Sequence, residues 1–565
     1  MTEPDQALVA RMSSDLATMT AYLARASADL RELERMVGER TARPVYRQPP
    51  VVAPAPPPPP QPPAPRPDGW IGKALAVAGV AVTLVGVALL LVLAAQAGFL
   101  SPGVRVAAGA ALAVALVAVA WRLVGRPGGR VGAISLAATG VAAAYVDVIA
   151  VTELYHWVSA PAGLAIAAVL AVSGLVLARL WDAEPLGLLV LVPLIGLGPV
   201  VADGVGVVLV GFMLALGAAS LLIQLGRDWL GMHAARTAVT TLPLLLALVV
   251  TSFDSGRSPL LAVAGSLAAV LAVGGASTLL PHTRRKTAMA VLSAMGTTPV
   301  LAASLAVDGA VAATLAAVLA AALLGIVLTG GDSGVRAVWS ALAAVSAFVA
   351  VTVAFDGPVA GPVLLAMGIV TAIAGRRRGT ARRCALGFGV AGGVFLLAYA
   401  PPSYLVEARE LTAAVAASTL VASLLLAAWA VITAWSLQTN WAWAVAAVVA
   451  LYAITTFTVT AGVLTGGENQ GFRAGHVAAT LCWIILAAAV LRHAVEVSRD
   501  ERSLPIGGGM ALVAAAVAKL FLFDLGTLDG IFRVAVFIAV GLVLLGMGTG
   551  YARRLAQRDG RRTRV

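Results

Sequence analysis

Two cysteines and five histidines are all the thiols and imidazoles in this 565-residue chain. Cys384 and Cys482 lie in or beside different apolar runs, so neither a disulfide framework nor a thiolate metal site follows from them. No Gly-x-x-x-x-Gly-Lys loop occurs, and no two histidines have the spacing of a zinc protease. The usual signals for ATP hydrolysis and metalloprotease chemistry are therefore absent. Charge is scarce too: only 12% of residues are charged, against 60% hydrophobic. A soluble globular domain needs more polar surface than that.

What the chain has instead is a long series of apolar runs of about 20 residues, the length that crosses a bilayer as a helix. Strand-like alternation is rare, and irregular backbone cannot face lipid, so the spans are expected to be helices. From Trp70 onward about 18 of them can be drawn at this length. They fall near 71–95, 103–124, 130–151, 158–180, 185–201, 204–225, 232–253, 259–280, 286–306, 309–329, 334–354, 358–375, 381–400, 410–437, 440–464, 472–496, 505–523 and 531–551. The span at 185–201 is short and carries Pro193 and Pro199, which predicts a broken or re-entrant segment.

The net charge of +12 reads as membrane orientation rather than nucleic-acid binding. With a cytoplasmic N-terminus, one side collects all but six of the 39 basic residues, Arg227 and Arg236 among them. The exceptions are Arg105, Arg257, Arg409, Arg473, Arg533 and Lys519. Such asymmetry sets topology, and an even number of spans puts both tails in the cytoplasm of a bacterial inner membrane. On the other side, one acid marks most turns, about 50 residues apart, the length of two spans with their turns: Glu153, Asp203, Asp254, Asp308, Asp356, Glu407, Glu468 and Asp524. Several precede glycine, and Asp-Gly suits a turn in which Asp caps the next helix. The same period also fits a stack of helical hairpins with a carboxylate rim.

The chain divides into four regions: a helix over 1–40, a linker over 41–68, a multi-pass body over 69–552 and a basic tail over 553–565. In the first, Val9, Leu16, Leu23, Leu30 and Val37 recur every seven residues, with Met12, Met19, Ala26 and Leu33 between them. This is a coiled-coil seam for a partner or for self-association through residues 9–37, or one amphipathic helix lying on a surface. The linker ARPVYRQPPVVAPAPPPPPQPPAPRPD favours polyproline II and acts as a semi-rigid spacer or as a ligand for a proline-binding domain.

Polar residues inside the spans are the candidate sites, since ionisable groups there are costly and face protein or water. Lys519, Asp524, Asp529 and Arg533 cluster at the last turn, and Asp529 and Arg533 are four apart, as a helical pair would be. They pin two helices together or form a substrate or ion site. Asp147, Glu153 and His156 lie at the second outer turn, and His476 follows the turn that holds Glu468. A membrane transferase would need such acids and a base to activate a hydroxyl. A lone histidine at a membrane edge also serves as a polar anchor. Trp435, Trp441 and Trp443 read as an interfacial belt, and the glycines of 387–393 and 506–510 as close helix packing.

Both ends of the body carry recognisable stretches: WIGKALAVAGVAVTLVGVALLL and GFLSPGVRVAAGAALAVALVAVAWRL at the start, AGHVAATLCWIILAAAVL and KLFLFDLGTLDGIFRVAVFIAVGLVLL at the end. They resemble the predicted bacterial membrane protein family called domain of unknown function 2339. The pattern of Lys519, Asp524 and Arg533 around F-x-x-D-L is the most specific part, whereas the middle, 205–465, is similar only in architecture. The resemblance implies a short coiled coil, a proline-rich linker and a very large number of spans in the cell envelope. It brings no reaction with it.

The expectation is thus an all-α polytopic membrane protein built of tandem helical hairpins. It has membrane lipids as partners, no nucleic acid, no cofactor, no metal and no assigned catalytic residue. Transport, lipid handling or scaffolding is the expected role, and a transferase acting on a lipid-linked substrate at the outer face is the alternative.

Overall fold

The computed structural model describes residues 101–127, 129–253, 257–355, 357–375, 379–409, 411–496 and 503–524, with Ala28 before them and 526, 533–534, 536–543 and 545–546 after them. The heptad seam, the linker, the first expected span, Asp254, Asp356, Asp529 and the basic tail lie outside the described residues. The chain divides into two units between Trp70 and Ile71, and all the helices below belong to the second unit.

The described residues are helical, without a strand among them. Among the described residues, fifteen helical stretches are long and apolar enough to cross a membrane. The helices are α1 (Pro102–Val124), α2 (Arg130–Ile149), α3 (Ala160–Leu180), α4 (Glu184–Leu191), α5 (Pro193–Val201), α6 (Val207–Gln224), α7 (Leu230–Phe253), α8 (Pro259–Leu279) and α9 (Lys286–Met295). They continue with α10 (Thr298–Leu301), α11 (Gly309–Leu328), α12 (Ser333–Ala354), α13 (Ala360–Ala374), α14 (Gly379–Tyr399), α15 (Ala413–Leu437), α16 (Asn440–Gly466), α17 (Phe472–Glu496) and α18 (Ser503–Lys519). The longest stretch, Asn440–Ala494, contains both α16 and α17. Packing is densest between consecutive helices: α1 with α2, α11 with α12, α13 with α14, and α15 with α16.

The starts of these helices follow local chemistry. Proline occupies the first turn of α1, α3, α4, α5 and α8, where its missing N–H is no loss. Arginines close several ends. Arg130 Nη2 donates to the carbonyls of Trp181 and Asp182 at 2.8 and 2.9 Å. Arg179 donates to those of Leu222, Ile223 and Leu225 at the end of α6. Cations are favoured at helix C-termini, where carbonyls lack amide partners. Asp308 behaves otherwise than expected. It holds the N-cap position of α11 without bonding its amides and pairs with Arg257 Nε at 2.9 Å. Asp332 does cap, accepting from the Gly334 amide at 2.9 Å.

Two of the proline-bearing spans exchange roles. The 185–201 segment stays continuous: Val192 keeps right-handed helical angles between α4 and α5, so Pro193 opens the second helix without unwinding the first. The longer interruption falls in 286–306, drawn from the sequence as one span, although Gly296 and Thr297 keep right-handed angles too. Here α9 stops at Met295, Gly296 and Thr297 form a turn, and α10 and the 3₁₀ turn Ala303–Leu305 complete the crossing. A Cβ on Gly296 would sit 2.6 Å from that of Ala272 on α8. Thr297 is fully buried, with its hydroxyl on the Ala294 carbonyl at 2.8 Å. Non-helical backbone at membrane depth is tolerable where protein covers it in this way.

Small residues set the helix spacing. An ideal Cβ on Gly462 would collide with the Gly471 carbonyl oxygen, and one on Gly475 would lie 2.7 Å from that of Thr458. The segments GVLTG (462–466) and GFRAG (471–475) thus bring the backbones of α16 and α17 into contact, as small-xxx-small pairs do in membranes. Gly467, at φ +72°, takes the turn between them. In 387–393, the Trp429 ring occupies the space above Gly389, and its Nε1 donates to the Ala385 carbonyl at 3.0 Å. In 506–510 only Gly509 is close-packed, against Leu491. Trp435, Trp441 and Trp443 are exposed on the outside of the helices.

Candidate functional site

Three turns of wide helix end long helices near acids of the outer series: Ala150–Leu154 with Glu153, Gly467–Gly471 with Glu468, and Leu520–Asp524. The last builds the C-terminal site. On an α-helix, residues five apart point roughly 140° away from each other. A π turn closes i to i+5, which brings Asp524 round onto the face of Lys519.

There the ammonium of Lys519 lies 2.6 Å from Asp524 Oδ1. It also donates to Thr480 Oγ1 at 2.7 Å and to the His476 carbonyl at 3.3 Å. The Thr480 hydroxyl accepts from Lys519 and donates to Asp524 Oδ2 at 2.5 Å. The Asp524 side chain is fully buried and that of Lys519 is 10% exposed. All three ammonium protons thus have acceptors, and both carboxylate oxygens have donors. The site is neutral and closed, a pin between α17 and α18. His476 stands beside it, 1% exposed, its ring 4.6 Å from that of Phe472 and 4.8 Å from that of Phe523. Neither ring nitrogen has a hydrogen-bond partner among the described residues. Arg533 lies in a described helical stretch, but the expected Asp529–Arg533 pair falls partly outside the described residues. The sequence does not single out Thr480, since a threonine in a span is unremarkable until a π turn aims two charges at it.

The early candidates separate. His156 is exposed at φ +50°, and its Nδ1 lies 3.0 Å from the Thr152 carbonyl. Glu153 is half-buried in the π turn. Asp147 lies inside the packing, against Gly109 of α1, where a Cβ would collide with Oδ1. Its Oδ2 is buried and has no hydrogen-bond partner among the described residues.

Asp147 borders an open cavity of about 710 Å³ between α1, α2 and α3, whose walls at Val114, Trp121 and Ile166 are 70%, 56% and 42% exposed. The walls are apolar, formed by residues such as Val106, Val117, Val148 and Leu170, with Ser173 the other side chain bearing a polar atom besides Trp121. Asp147 marks one end and Trp121 and Leu177 the other. Val106 to Trp121 is about 22 Å of helix at 1.5 Å per residue. Neither Glu153 nor His156 lines it, so the acids and base that a transferase would gather do not meet here.

A third polar centre forms around Arg236, counted above among the basic residues of one side. It lies six residues into α7, roughly 9 Å along the helix, and is 3% exposed. Its Nη1 donates to Gln224 Oε1 at 3.1 Å and its Nη2 to His233 Nδ1 at 2.6 Å. A guanidinium can only donate, so Nδ1 is the bare nitrogen and the ring proton sits on Nε2. That proton points to Ser293 Oγ at 2.8 Å, and Ser293 in turn donates to the Met289 carbonyl at 2.9 Å. The imidazole therefore cannot take a proton from Ser293, and the pair is not a nucleophile with its base. No carboxylate among the described residues pairs with Arg236. The sequence signal was the His-x-x-Arg spacing within a span, which puts both side chains on one face.

In the loop beside this centre, the Asp228 carboxyl is held below its ordinary value. The largest cause is the Thr283 side-chain hydrogen bond; burial opposes it, and the Arg284 amide and the charges of Arg285 and Arg284 add to the lowering. Among the described residues no three His, Cys, Asp or Glu side chains gather as a metal-ligand set. No family model matches this chain, nor does any curated protein or solved structure.

Proposed function

We propose that this protein is a non-enzymatic component of a bacterial envelope membrane that holds or passes a lipidic molecule within the bilayer. One observation carries the reading: the apolar cavity of about 710 Å³ between α1, α2 and α3, within the usual size of ligand sites. A closed Lys519–Asp524 pair supports a structural role for the C-terminal charges, which leaves the cavity as the site for cargo. In this reading the body has 18 spans arranged as tandem hairpins, and the 9–37 segment recruits a partner or a second copy on the cytoplasmic side. The resemblance of both ends to the family called domain of unknown function 2339 points the same way.

The test is the lipid that stays with the purified protein. Ala118 lines the cavity and is exposed, so Ala118→Trp fills the slot without cutting into the buried core. Mass spectrometry of extracts should show one or more lipids bound to the wild type and depleted in the variant. Equal retention in both would overturn the reading. Orientation has its own test. A cysteine placed beside Asp308 should react with an impermeant reagent from outside the cell, and one beside Arg285 should not. The reverse labelling would invert the topology.

A further inference from the structure

We infer that the cavity between α1, α2 and α3 selects single-tailed amphiphiles that carry a cationic amine head, with Asp147 as the headgroup anchor. The inference rests on the reading of the cavity as a cargo site and adds the chemistry of the cargo.

The lining of the slot sets that chemistry. Asp147 is the one ionisable residue among the described residues that line it, and the remaining walls are almost entirely valine, alanine, leucine, isoleucine and glycine. A carboxylate oxygen shut away from water without a donor is costly. In the C-terminal centre the same chain solves that problem with an ammonium and a hydroxyl on Asp524. At Asp147 the described residues supply no such donor: Oδ2 is buried and bare. Gly109 opposite is too close for any larger residue, because its Cβ would collide with Oδ1. The backbone therefore makes room for the carboxylate without neutralising it.

A ligand with an ammonium group would complete the site as Lys519 completes Asp524, through charge-assisted N–H···O bonds. The tail direction follows from the lining. From Asp147 the slot runs along α1 past Ala110, Ala113 and Val117 to Trp121, so a ligand anchored at Asp147 lays its tail towards Trp121. An anionic head would face an unpaired carboxylate, and a neutral alcohol head would offer one weaker hydrogen bond.

The experiment uses the full-length protein in nanodiscs of phosphatidylcholine, at pH 7. The probes are three dodecyl chains with a photoreactive diazirine in the tail and a primary amine, a sulfate or a hydroxyl as head. Crosslinked residues are read by mass spectrometry. Wild-type protein should capture the amine at least tenfold better than the others, a difference of about 1.4 kcal/mol, with adducts on α1–α3. Asp147→Asn should abolish the preference while still taking up tails, and Ala118→Trp should abolish capture of all three. Equal capture of all heads by the wild type, or a preference that survives in Asp147→Asn, overturns the amine inference and leaves the cavity reading standing. Absence of any adduct on α1–α3, including the case in which another part of the chain fills the slot, removes both.

Discussion

Asp524 and Asp147 are both carboxylates set inside a helical membrane body, and they are treated in opposite ways. Asp524 is fully buried, with Lys519 on one oxygen and Thr480 on the other. Asp147 faces an apolar cavity with one oxygen bare of donors among the described residues. The difference lies in the local helix. A π turn after Lys519 swings Asp524 back over its partner. Asp147 sits in regular α-helix before the Ala150–Leu154 turn, and nothing on its own helix can reach round to it. A saturated pair stabilises packing, whereas an incompletely bonded group at a cavity is available to something else.

The sharpest way to break this comparison is to remove each charge in turn. Asp524→Asn strands the Lys519 ammonium in the core, which costs roughly 3–5 kcal/mol. The thermal unfolding temperature of the purified protein should fall accordingly. The double change Lys519→Met, Asp524→Leu should recover much of that loss, because a buried pair replaced by apolar groups is often neutral. An Asp524→Asn protein of wild-type stability would show that the pair is no pin.

The Arg236 centre adds a buried cation held without an acid among the described residues. Arg236→Met leaves His233 Nδ1 and Gln224 Oε1 without their donors, at a cost of about 1–3 kcal/mol for each group left alone. The same unfolding measurement should show a loss at or below that of Asp524→Asn. No change would mean that water replaces the guanidinium freely. Asp147→Asn should sit at the bottom of this series, with a loss of no more than about 0.5 kcal/mol, since it breaks no hydrogen bond among the described residues and removes an uncompensated charge. A loss as large as that at Asp524 would erase the distinction between the two carboxylates.

The smallest effect belongs to a third carboxylate. Asp228 is exposed and bonded to the loop before α9 through Thr283 and the Arg284 amide. Its folded value lies below the ordinary one, so its contribution to stability is present above the unfolded value of about 4. It is lost as the pH falls through the lower folded value. The protection factor of the Arg284 amide, its exchange corrected for the intrinsic pH dependence, should therefore fall on acidification below about pH 4 and stay flat between neutral pH and about 5. A protection factor that does not change on acidification would show that the loop does not depend on this contact.

Much of the fold was legible because the bilayer imposes a length. Runs such as 309–329 and 334–354 had to be helices, and α11 and α12 occupy those positions. Position along the chain misled where local cues competed. Pro193 and Pro199 suggested a break that Val192 does not make, while the turn at Gly296 and Thr297 falls just before Pro299, in a span drawn without one. At the site, the sequence showed Lys519 and Asp524 as neighbours and His476 as a candidate, but not that Thr480 joins the pair. Arg236 was legible as a charge within the span 232–253, but not its burial or its bond to Gln224 of α6, because a count of basic residues by side takes no account of depth.

Composition alone decided that this chain lies in a membrane as helices. Too little charge for a soluble surface and apolar runs of bilayer length leave backbone polar groups only one way to be satisfied without water. Whether each polar residue among those helices is closed or open was decided by tertiary structure. That depends on which neighbouring helix brings a donor within about 3 Å, and a hydrogen bond between residues 44 apart, such as Thr480 to Asp524, has no trace in the local sequence around either one.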